Sequence, residues 1–366
     1  MTGLRDLPDE LLLMIATFLG VVDIVNLSMI NKRLTEVMRL NPTNDTPIYT
    51  DQYGICKTWP YLQFIMEYPQ GNTVDSVFVS GGYLYTCADN KAREIDINTG
   101  ETLMECPHGE VVNSVFVSGD FLYTGCSDGK ATKIDINTCE TLMKSYGRSV
   151  WSVFVSGEYL YTGCGDKAMK IDINTGKTLM ECPHGGPVWS VFVSGEYLYT
   201  GCGDKARKID INTGETLMEY PHGIWVESVF VSGEYLYTGC DDGKARKIDI
   251  NTGETLMEYP HEDWVRSVFV SGEYLYTGCE DGKARKIDIN TGETLMEYPH
   301  EDWVLSVFVS GDYLYTGCDK KAREIDINTG ETLMEYPHET GVFSVFVSGE
   351  YLYTGCYDGK ARKIPL

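Results

Sequence analysis

The six-residue string Ser-Val-Phe-Val-Ser-Gly occurs eight times in this chain of 366 residues. A fixed repeat period of this size is typical of proteins in which one unit buries its apolar face only against its neighbours. About four short strands with tight turns fit into one period, so each repeat predicts one blade of a β-propeller. The period is 38 or 39 residues, because the copies begin at Ser76, Ser114, Ser152, Ser190, Ser228, Ser267, Ser306 and Ser344.

The fifth repeat illustrates the expected blade. It contains four apolar or aromatic runs of strand length, and Gly233, Gly243 and Gly253 fall in the three short segments between them. Glycine supplies the positive φ that tight hairpin turns need, and aromatic residues suit a pleated surface. The repeat therefore predicts a mainly β fold of four-stranded blades. The four runs are residues 228–231, 235–240, 244–250 and 255–259.

The two ends of the repeat array complement each other. The eighth copy ends at Leu366 after three predicted strands, whereas residues 64–69 match the fourth strand of the other copies. We therefore expect an N-terminal strand to complete the last blade and close the ring, which removes the open sheet edges that invite aggregation. The predicted fold class is an eight-bladed, WD-repeat-like β-propeller over residues 62–366, preceded by a linker over 42–61.

The blade sequence resembles the WD repeat over roughly 300 residues. In that family a His, a Ser or Thr, an Asp and a Trp form a hydrogen-bonded set, which His222, Thr238 and Asp242 match in part. Ile248 stands at the Trp position. The frame Asp-x-x-Thr-Gly, here beginning at Asp249, also resembles the docking motif of quinoprotein dehydrogenase propellers. Since both families share the fold, function has to be inferred from other residues.

The first 41 residues have a different pattern. Leu7-Pro8-Asp9-Glu10 begins a predicted helix that ends at Gly20, with acidic residues in the first turn where the helix dipole favours them. Together with Asp23-Ile24 and Lys32-Arg33, this segment resembles the F-box over residues 4–41, although the usual Trp is replaced by Leu34. The resemblance implies a small α-helical domain that binds a Skp-family adaptor and cullin complex. The candidate adaptor-binding residues are Leu7, Pro8, Leu11, Ile15, Phe18, Leu19, Ile24 and Leu27.

The same helix has two other interpretations. The apolar run from Leu11 to Val22 is too short to span a bilayer, and acidic residues occupy the flank that a signal peptide makes basic. A helical cap packed on the propeller is the stronger alternative, but about 40 residues form only a marginal core by themselves. The segment is therefore expected to have a partner surface.

Composition points away from several function classes. The formal charge of −24 repels nucleic acids and anionic lipids, so neither a nucleic acid nor a membrane is an expected partner. All six histidines follow the repeated Pro, which leaves none for a catalytic triad or a metal site. We therefore expect no enzyme activity, no catalytic or metal-binding residues and no cofactor.

The cysteines also follow the repeat. Equivalent positions on separate blades do not approach one another, so a metal site or disulfide framework is not expected and the thiols are predicted to be buried and reduced. Cys56, Cys106, Cys139 and Cys182 show no pattern. The eight cysteines assigned to one repeat position are Cys87, Cys126, Cys164, Cys202, Cys240, Cys279, Cys318 and Cys356.

Positions at which near-identical blades differ are the best candidates for recognition. The residue immediately before each Ser-Val-Phe-Val varies, and five of the six tryptophans lie at this position or close to it. Trp and Arg are enriched among the residues that dominate binding energy. Structural packing of the tryptophans under the next loop is the alternative. The candidate client-binding residues are Trp151, Trp189, Glu227, Arg266, Leu305 and Phe343.

Together these features predict a substrate receptor of a Skp-cullin-F-box ubiquitin ligase. The propeller would bind an unidentified protein client and raise its effective concentration near the transferring enzyme. Two alternatives stay open: an F-box competitor that only sequesters the adaptor, and a quinoprotein-like propeller. A cytoplasmic or nuclear location in a eukaryotic or infected host cell is expected from the ligase interpretation.

Overall fold

The computed structural model describes residues 48–50, 56–58, 66–71 and 73–366. The segment 4–41, with its predicted helices and all eight candidate adaptor-binding residues, lies outside the described residues. The chain divides into two compact units, Met1–Phe64 and Ile65–Leu366. In the first unit, strands β1 (Ile48–Thr50) and β2 (Cys56–Thr58) form a two-stranded antiparallel sheet.

The second unit consists of strands joined by tight turns. None of the described residues belongs to a helix with the length and hydropathy needed to traverse a bilayer. In chain order the strands are β3 (Met66–Pro69); β4 (Val74–Ser80), β5 (Tyr83–Ala88), β6 (Lys91–Asp96), β7 (Thr102–Pro107); β8 (Val112–Ser118), β9 (Phe121–Cys126), β10 (Lys130–Asp135), β11 (Thr141–Tyr146); β12 (Val150–Ser156), β13 (Tyr159–Cys164), β14 (Lys167–Asp172), β15 (Thr178–Pro183); β16 (Val188–Ser194), β17 (Tyr197–Cys202), β18 (Lys205–Asp210), β19 (Thr216–Pro221); β20 (Val226–Ser232), β21 (Tyr235–Cys240), β22 (Lys244–Asp249), β23 (Thr255–Pro260); β24 (Val265–Ser271), β25 (Tyr274–Cys279), β26 (Lys283–Asp288), β27 (Thr294–Pro299); β28 (Val304–Ser310), β29 (Tyr313–Cys318), β30 (Lys321–Asp326), β31 (Thr332–Pro337); β32 (Val342–Ser348), β33 (Tyr351–Cys356) and β34 (Lys360–Pro365).

These strands form eight antiparallel sheets of four strands, so the predicted eight-bladed β-propeller is confirmed. Blades 1 to 7 each take four consecutive strands, beginning with β4–β7. Blade 8 has the strand order β3-β34-β33-β32, in which Met66–Pro69 pairs antiparallel with the last strand of the chain. The N-terminal strand therefore supplies the edge of the last blade.

A continuous ring of aromatic contacts joins the blades. The Phe of each Ser-Val-Phe-Val string contacts the equivalent Phe of both neighbouring blades, with ring centroids 5.1–5.5 Å apart. Such tilted pairs are favourable beyond the area they bury. Because the contact between Phe78 and Phe346 returns to the first blade, the ring of eight phenylalanines is closed.

The repeated Asp-x-x-Thr-Gly frame forms the turn between the third and fourth strands. Asp249 accepts hydrogen bonds from the backbone N–H groups of Asn251 and Thr252, and Gly253 adopts a φ of 76°. A side chain at Gly253 would lie only 3.0 Å from the sulfur of Met218 in the preceding blade. Glycine therefore suits both the turn and the close contact between blades, although Cys139 holds the same place in blade 2 with a φ of 57°.

The WD-like hydrogen-bonded set is present only in part. His222 Nδ1 lies 2.8 Å from the Tyr220 carbonyl and its Nε2 lies 2.8 Å from Thr238 Oγ1. Since a carbonyl only accepts, Nδ1 carries the hydrogen and Thr238 donates to Nε2. Asp242, expected to join this set, instead accepts hydrogen bonds from Arg246. Asp242 therefore forms an ion pair with an arginine of the third strand of the blade.

The cysteine alignment was wrong by one residue in the first blade. Cys87 lies opposite Ser76, whereas a glycine holds the corresponding place in the next blade, where Gly125 lies opposite Ser114. Sequence analysis also found no pattern in two further cysteines that the fold brings together. The sulfur atoms of Cys106 and Cys139 lie 2.7 Å apart across blades 1 and 2, with both residues as free thiols.

Candidate ligand-binding rim

The varying residue before each Ser-Val-Phe-Val occupies a β-bulge. In every blade the innermost strand shifts register there, as between Val150 and Ser152. A bulge inserts one residue that has no partner in the ladder and redirects its side chain. The regular strand on either side can therefore stay the same while the bulge residue changes. This explains how seven residue types fit one backbone position in the eight blades: Asp75, Asn113, Trp151, Trp189, Glu227, Arg266, Leu305 and Phe343.

A second varying position, missed by sequence analysis, lies beside the bulge in each blade. It is the loop residue after the second strand, and its side chain contacts the bulge residue in several blades: Ser127 donates to Asn113 at 3.1 Å, and the Phe343 and Tyr357 ring centroids are 3.8 Å apart. The same comparison between near-identical blades could have found it. We call the two sets of positions together the variable rim. The second set is Asp89, Ser127, Gly165, Gly203, Asp241, Glu280, Asp319 and Tyr357.

The tryptophans of blades 3, 4 and 5 form an aromatic cluster on this rim. The ring centroids of Trp151 and Trp189 are 4.9 Å apart, and those of Trp189 and Trp225 are 5.9 Å apart. Trp151 and Trp189 are half-buried, whereas Trp225 is 48 % exposed. Both half-buried tryptophans share a blade with a glycine at the second position, which leaves room for a large indole. The cluster is thus partly packed and partly open to a ligand.

A charged cluster follows in blades 5 and 6. Arg266 Nε lies 2.6 Å from Glu280, and Nη1 lies 3.3 Å from Glu227 and 3.9 Å from Asp241. Three carboxylates therefore face one guanidinium. Burial raises the pKa of Glu227 and of Asp241, while Arg266 acts in the opposite direction. The excess of carboxylates over positive charge favours a cationic partner at this point.

The remaining candidate residues lie on the same rim but make fewer contacts. Leu305 is half-buried in blade 7, and Phe343 packs edge-on against Tyr357 in blade 8. In blade 1, burial raises the pKa of Asp75 to about 6, and the neighbouring Asp89 contributes to the rise. The six predicted client-binding residues thus share one rim, but contacts link only Trp151 with Trp189 and Glu227 with Arg266.

Two further tryptophans project from the loops before the bulges. Trp264 is 39 % exposed and lies under the Arg266 guanidinium at 4.6 Å, while Trp303 is 52 % exposed. Both follow a pair of acidic residues in sequence. Through its contact with Arg266, the exposed indole of Trp264 adjoins the charged cluster.

The quinoprotein likeness raises the question of a metal-bound quinone. Hard cations such as calcium need several oxygen ligands in one place. Within the described ranges, no group of three or more His, Cys, Asp or Glu side chains is arranged to hold a metal ion. The residues described here therefore do not fit such a cofactor.

The chain is similar to known proteins in sequence and in structure. The sequence model of the PQQ-type family described as outer membrane protein assembly factor BamB matches residues 144–360. The computationally designed protein Ika8 has a similar structure, with a TM-score of 0.77 and 21 % identity over 81 % of this chain and 98 % of its own. Sqt1 of Saccharomyces cerevisiae has a TM-score of 0.74 and 17 % identity over 81 % of this chain and 96 % of its own. No curated protein matches the sequence.

Proposed function

Because this chain belongs to the PQQ-type β-propeller family described as outer membrane protein assembly factor BamB, we propose that its propeller is a protein-docking scaffold and not an enzyme. The single observation that carries the proposal is the variable rim. Blades that are closely similar in sequence differ at two adjacent positions on one rim. At these positions and beside them, blades 3 to 5 hold the aromatic cluster, and blades 5 and 6 hold the charged cluster. The assembly role in the family description is compatible with a scaffold.

The chemistry of the rim supports a short protein segment as the ligand. Trp151, Trp189 and Trp225 offer apolar area, and the adjacent carboxylates of Glu227 and Asp241 outnumber the one arginine that faces them. A peptide with an apolar residue next to a Lys or Arg would satisfy both clusters. A multiply phosphorylated ligand is not supported, since Arg266 is already surrounded by acidic groups.

We further propose that residues 4–41 form an F-box and that the chain is a substrate receptor of a Skp-cullin-F-box ligase, located in the cytoplasm or nucleus of a eukaryotic or infected host cell. The support is the sequence resemblance of that segment. In this arrangement the propeller brings a client close to the transferring enzyme and performs no bond chemistry itself. Nucleic acids and membranes are not expected partners because of the net charge of −24.

The rim can be tested with peptides selected from a random library against the full chain. We expect the selected peptides to pair an apolar residue with Lys or Arg. Truncating a central aromatic anchor typically costs about 2 kcal/mol or more, which corresponds to about thirtyfold in affinity. Trp151→Ala and Trp189→Ala should therefore weaken binding by about that factor in fluorescence anisotropy titrations.

The exposed tryptophans provide the matched control for this experiment. Trp225 and Trp303 are similarly exposed, but only Trp225 contacts the aromatic cluster. Trp225→Ala should weaken peptide binding, whereas Trp303→Ala should have a much smaller effect, and neither should change the melting temperature appreciably. Equal affinities for the wild type and the Trp151, Trp189 and Trp225 variants would place the site elsewhere on the propeller.

The adaptor proposal rests on a different segment and has its own test. Leu7, Leu11, Ile15 and Phe18 recur at steps of three and four residues, which forms one apolar stripe on the predicted helix. An Ile15→Asp substitution would bury an unpaired charge in the adaptor interface at a cost of several kcal/mol. We expect it to abolish co-purification of a Skp-family adaptor while the propeller still melts cooperatively; undiminished co-purification contradicts the F-box assignment.

Two alternative functions make different predictions. An adaptor competitor would bind the Skp-family adaptor but yield no client that is lost in proximity labelling when the rim is mutated. A quinoprotein-like enzyme would be stabilised by an added quinone together with calcium, which should raise the melting temperature. The receptor proposal predicts a rim-dependent client and no such stabilisation.

A further inference from the structure

Six blades place a lysine ammonium group in the same position. In blade 3, Lys170 Nζ donates to the carbonyl of Ile211 in the next blade at 2.8 Å and lies 3.9 Å from the centroid of the Tyr159 ring. The other five lysines repeat this arrangement, with Nζ 2.8–3.2 Å from the carbonyl and 3.9–4.2 Å from an aromatic ring. They are Lys133, Lys208, Lys247, Lys286 and Lys363.

Blades 1 and 7 have a glutamate in place of this lysine. In blade 7, both carboxylate oxygens of Glu324 accept hydrogen bonds, from Tyr315 at 3.4 Å and from Tyr336 at 3.0 Å. Glu324 therefore has a phenol for each oxygen. This blade shows how the fold satisfies a buried carboxylate without a positive charge.

Blade 1 lacks the second phenol. Tyr85 donates to one oxygen of Glu94 at 3.0 Å, but Cys106 occupies the fourth-strand place that Tyr336 has in blade 7. Glu94 is only 5 % exposed. A buried carboxylate with one hydrogen bond is costly unless a further donor or a positive charge reaches it.

A cleft lies at this point between blades 1 and 2. It has a volume of about 370 Å³, which falls in the range of small-ligand pockets, roughly 300–1,000 Å³. Its lining includes Glu94, Tyr83 and Ile136. Tyr83 corresponds to the aromatic ring of the other blades and Ile136 to the residue whose carbonyl accepts from the lysine. Blade 1 therefore has the same aromatic ring and the same backbone carbonyl as the six blades with a lysine, but the carboxylate of Glu94 takes the place of the lysine ammonium group.

We propose that the cleft binds a primary ammonium ion on an alkyl chain, supplied by a ligand in place of the lysine. An ammonium group has three hydrogen-bond donors, which suits the Glu94 carboxylate and the Ile136 carbonyl. The Tyr83 ring adds a cation–π contact, and Asp120 adds negative charge to the lining. This site is separate in sequence from the variable rim and does not depend on the function proposed for it.

The experiment titrates n-butylammonium chloride into the full chain and measures binding by ligand-observed NMR, with potassium chloride at equal ionic strength as the reference. We expect saturable binding that Glu94→Gln weakens at least tenfold. Glu94→Lys restores the residue of six other blades, so it should abolish binding and raise the melting temperature. Glu324→Gln, in the blade whose carboxylate is already satisfied, should leave binding unchanged.

A transplanted site gives a second, independent measurement. Blade 3 has Cys182 at the fourth-strand position, as blade 1 has Cys106, so Lys170→Glu reproduces the blade 1 combination. We expect this variant to bind a second equivalent of n-butylammonium. Unchanged binding by Glu94→Gln, or an equal effect of potassium chloride, would overturn the proposal.

The ammonium group could come from a free amine or from a lysine side chain. Titration of Nα-acetyl-lysine methylamide beside n-butylammonium distinguishes these sources. Competition between the two for the same Glu94-dependent site shows that a lysine of a protein partner can enter the cleft. Binding of n-butylammonium alone restricts the ligand to small free amines.

Discussion

Removing residues 1–70 is expected to destabilise the whole propeller, whereas removing residues 1–64 is not. The two truncations differ by the strand Met66–Pro69 and one residue on either side of it. Without this strand, blade 8 has three strands and an open edge, and the last strand loses its only partner on that side among the described residues. Tyr68, which is 3 % exposed, would be lost from the core.

The size of the effect follows from what the strand buries. Removing a buried aromatic side chain typically costs about 3–5 kcal/mol, and the four paired residues of the strand add to this. Arg362 is also affected, since its Nε lies 2.9 Å from Glu67 and only Asp358 would remain as its ion-pair partner. We expect a loss of about 5 kcal/mol or more, measured by urea denaturation of both truncations.

Thermal unfolding distinguishes the two truncated proteins. The shorter truncation should melt cooperatively near the wild-type temperature, and the longer one should melt earlier or aggregate through its exposed strand edge. Tyr68→Ala in the full chain is the matched point variant and should lose most of the same stability. Equal unfolding free energies for the two truncations would refute closure by this strand.

The propeller is also expected to lose stability steeply as the pH falls from 6.5 towards 4. Burial lowers the pKa of five histidines to about 4, namely His184, His222, His261, His300 and His338. In the unfolded chain a histidine has a pKa of about 6.5. Because the unfolded state binds more protons in this window, stability is complete above the unfolded pKa and declines as the pH falls.

The expected loss in the free energy of unfolding is large for a propeller of this size. The difference between the pKa of about 6.5 in the unfolded chain and about 4 in the folded protein corresponds to about 3 kcal/mol per histidine once the pH has fallen to about 4. Five such residues amount to about 15 kcal/mol, the upper end of the roughly 5–15 kcal/mol that holds a typical domain folded. Burial also raises the pKa of four carboxyl groups, which opposes the trend; they are Asp75, to about 6, and Glu94, Glu227 and Asp241. Unfolding is therefore expected before pH 4, and calorimetry between pH 8 and pH 4.5 measures it.

Blade 8 suggests the control variant for this measurement. Gln70 stands where six other blades have the histidine, and its Oε1 accepts a hydrogen bond from Thr86 at 2.9 Å. His222→Gln should therefore be accommodated while removing one titrating group. We expect it to reduce proton uptake on unfolding at pH 5 by about one proton. A melting temperature that does not change between pH 7 and pH 5 would contradict the prediction.

The eight-bladed fold was predictable because its information is local and repeated eight times. The four apolar runs recur from blade to blade and most of the turns contain glycine, so errors in one copy do not change the result. The match of residues 64–69 to a fourth strand depended on the same redundancy. The bulge was not predicted, since a varying residue before Ser-Val-Phe-Val looks in sequence like an ordinary strand residue.

Contacts between blades were harder to predict. Asp242 was assigned to His222 by family resemblance, but Arg246, four residues later on β22, competes for the carboxylate. Likewise, the meaning of Glu94 emerges only beside residues of blade 2, about 40 positions away in sequence. In the first blade, Cys87 was misaligned because the usual Gly-Cys pair at the end of the second strand is replaced by Cys87-Ala88, which places the cysteine one residue earlier. The sequence alone identified the bulge residues as candidates for recognition, but it could not show which of them contact one another.

Closure by the first propeller strand has a consequence for biosynthesis. A ribosome adds about 5–20 residues per second, so β3 leaves it some 15–60 s before β34, its partner, has been made. During that time blade 1 can pair its own four strands, but the strand that belongs to blade 8 has no correct site. Seven other blades end in a nearly identical fourth strand, so β3 could exchange with one of them. Correct assembly therefore depends on each new blade completing its own edge before the early strand reaches it.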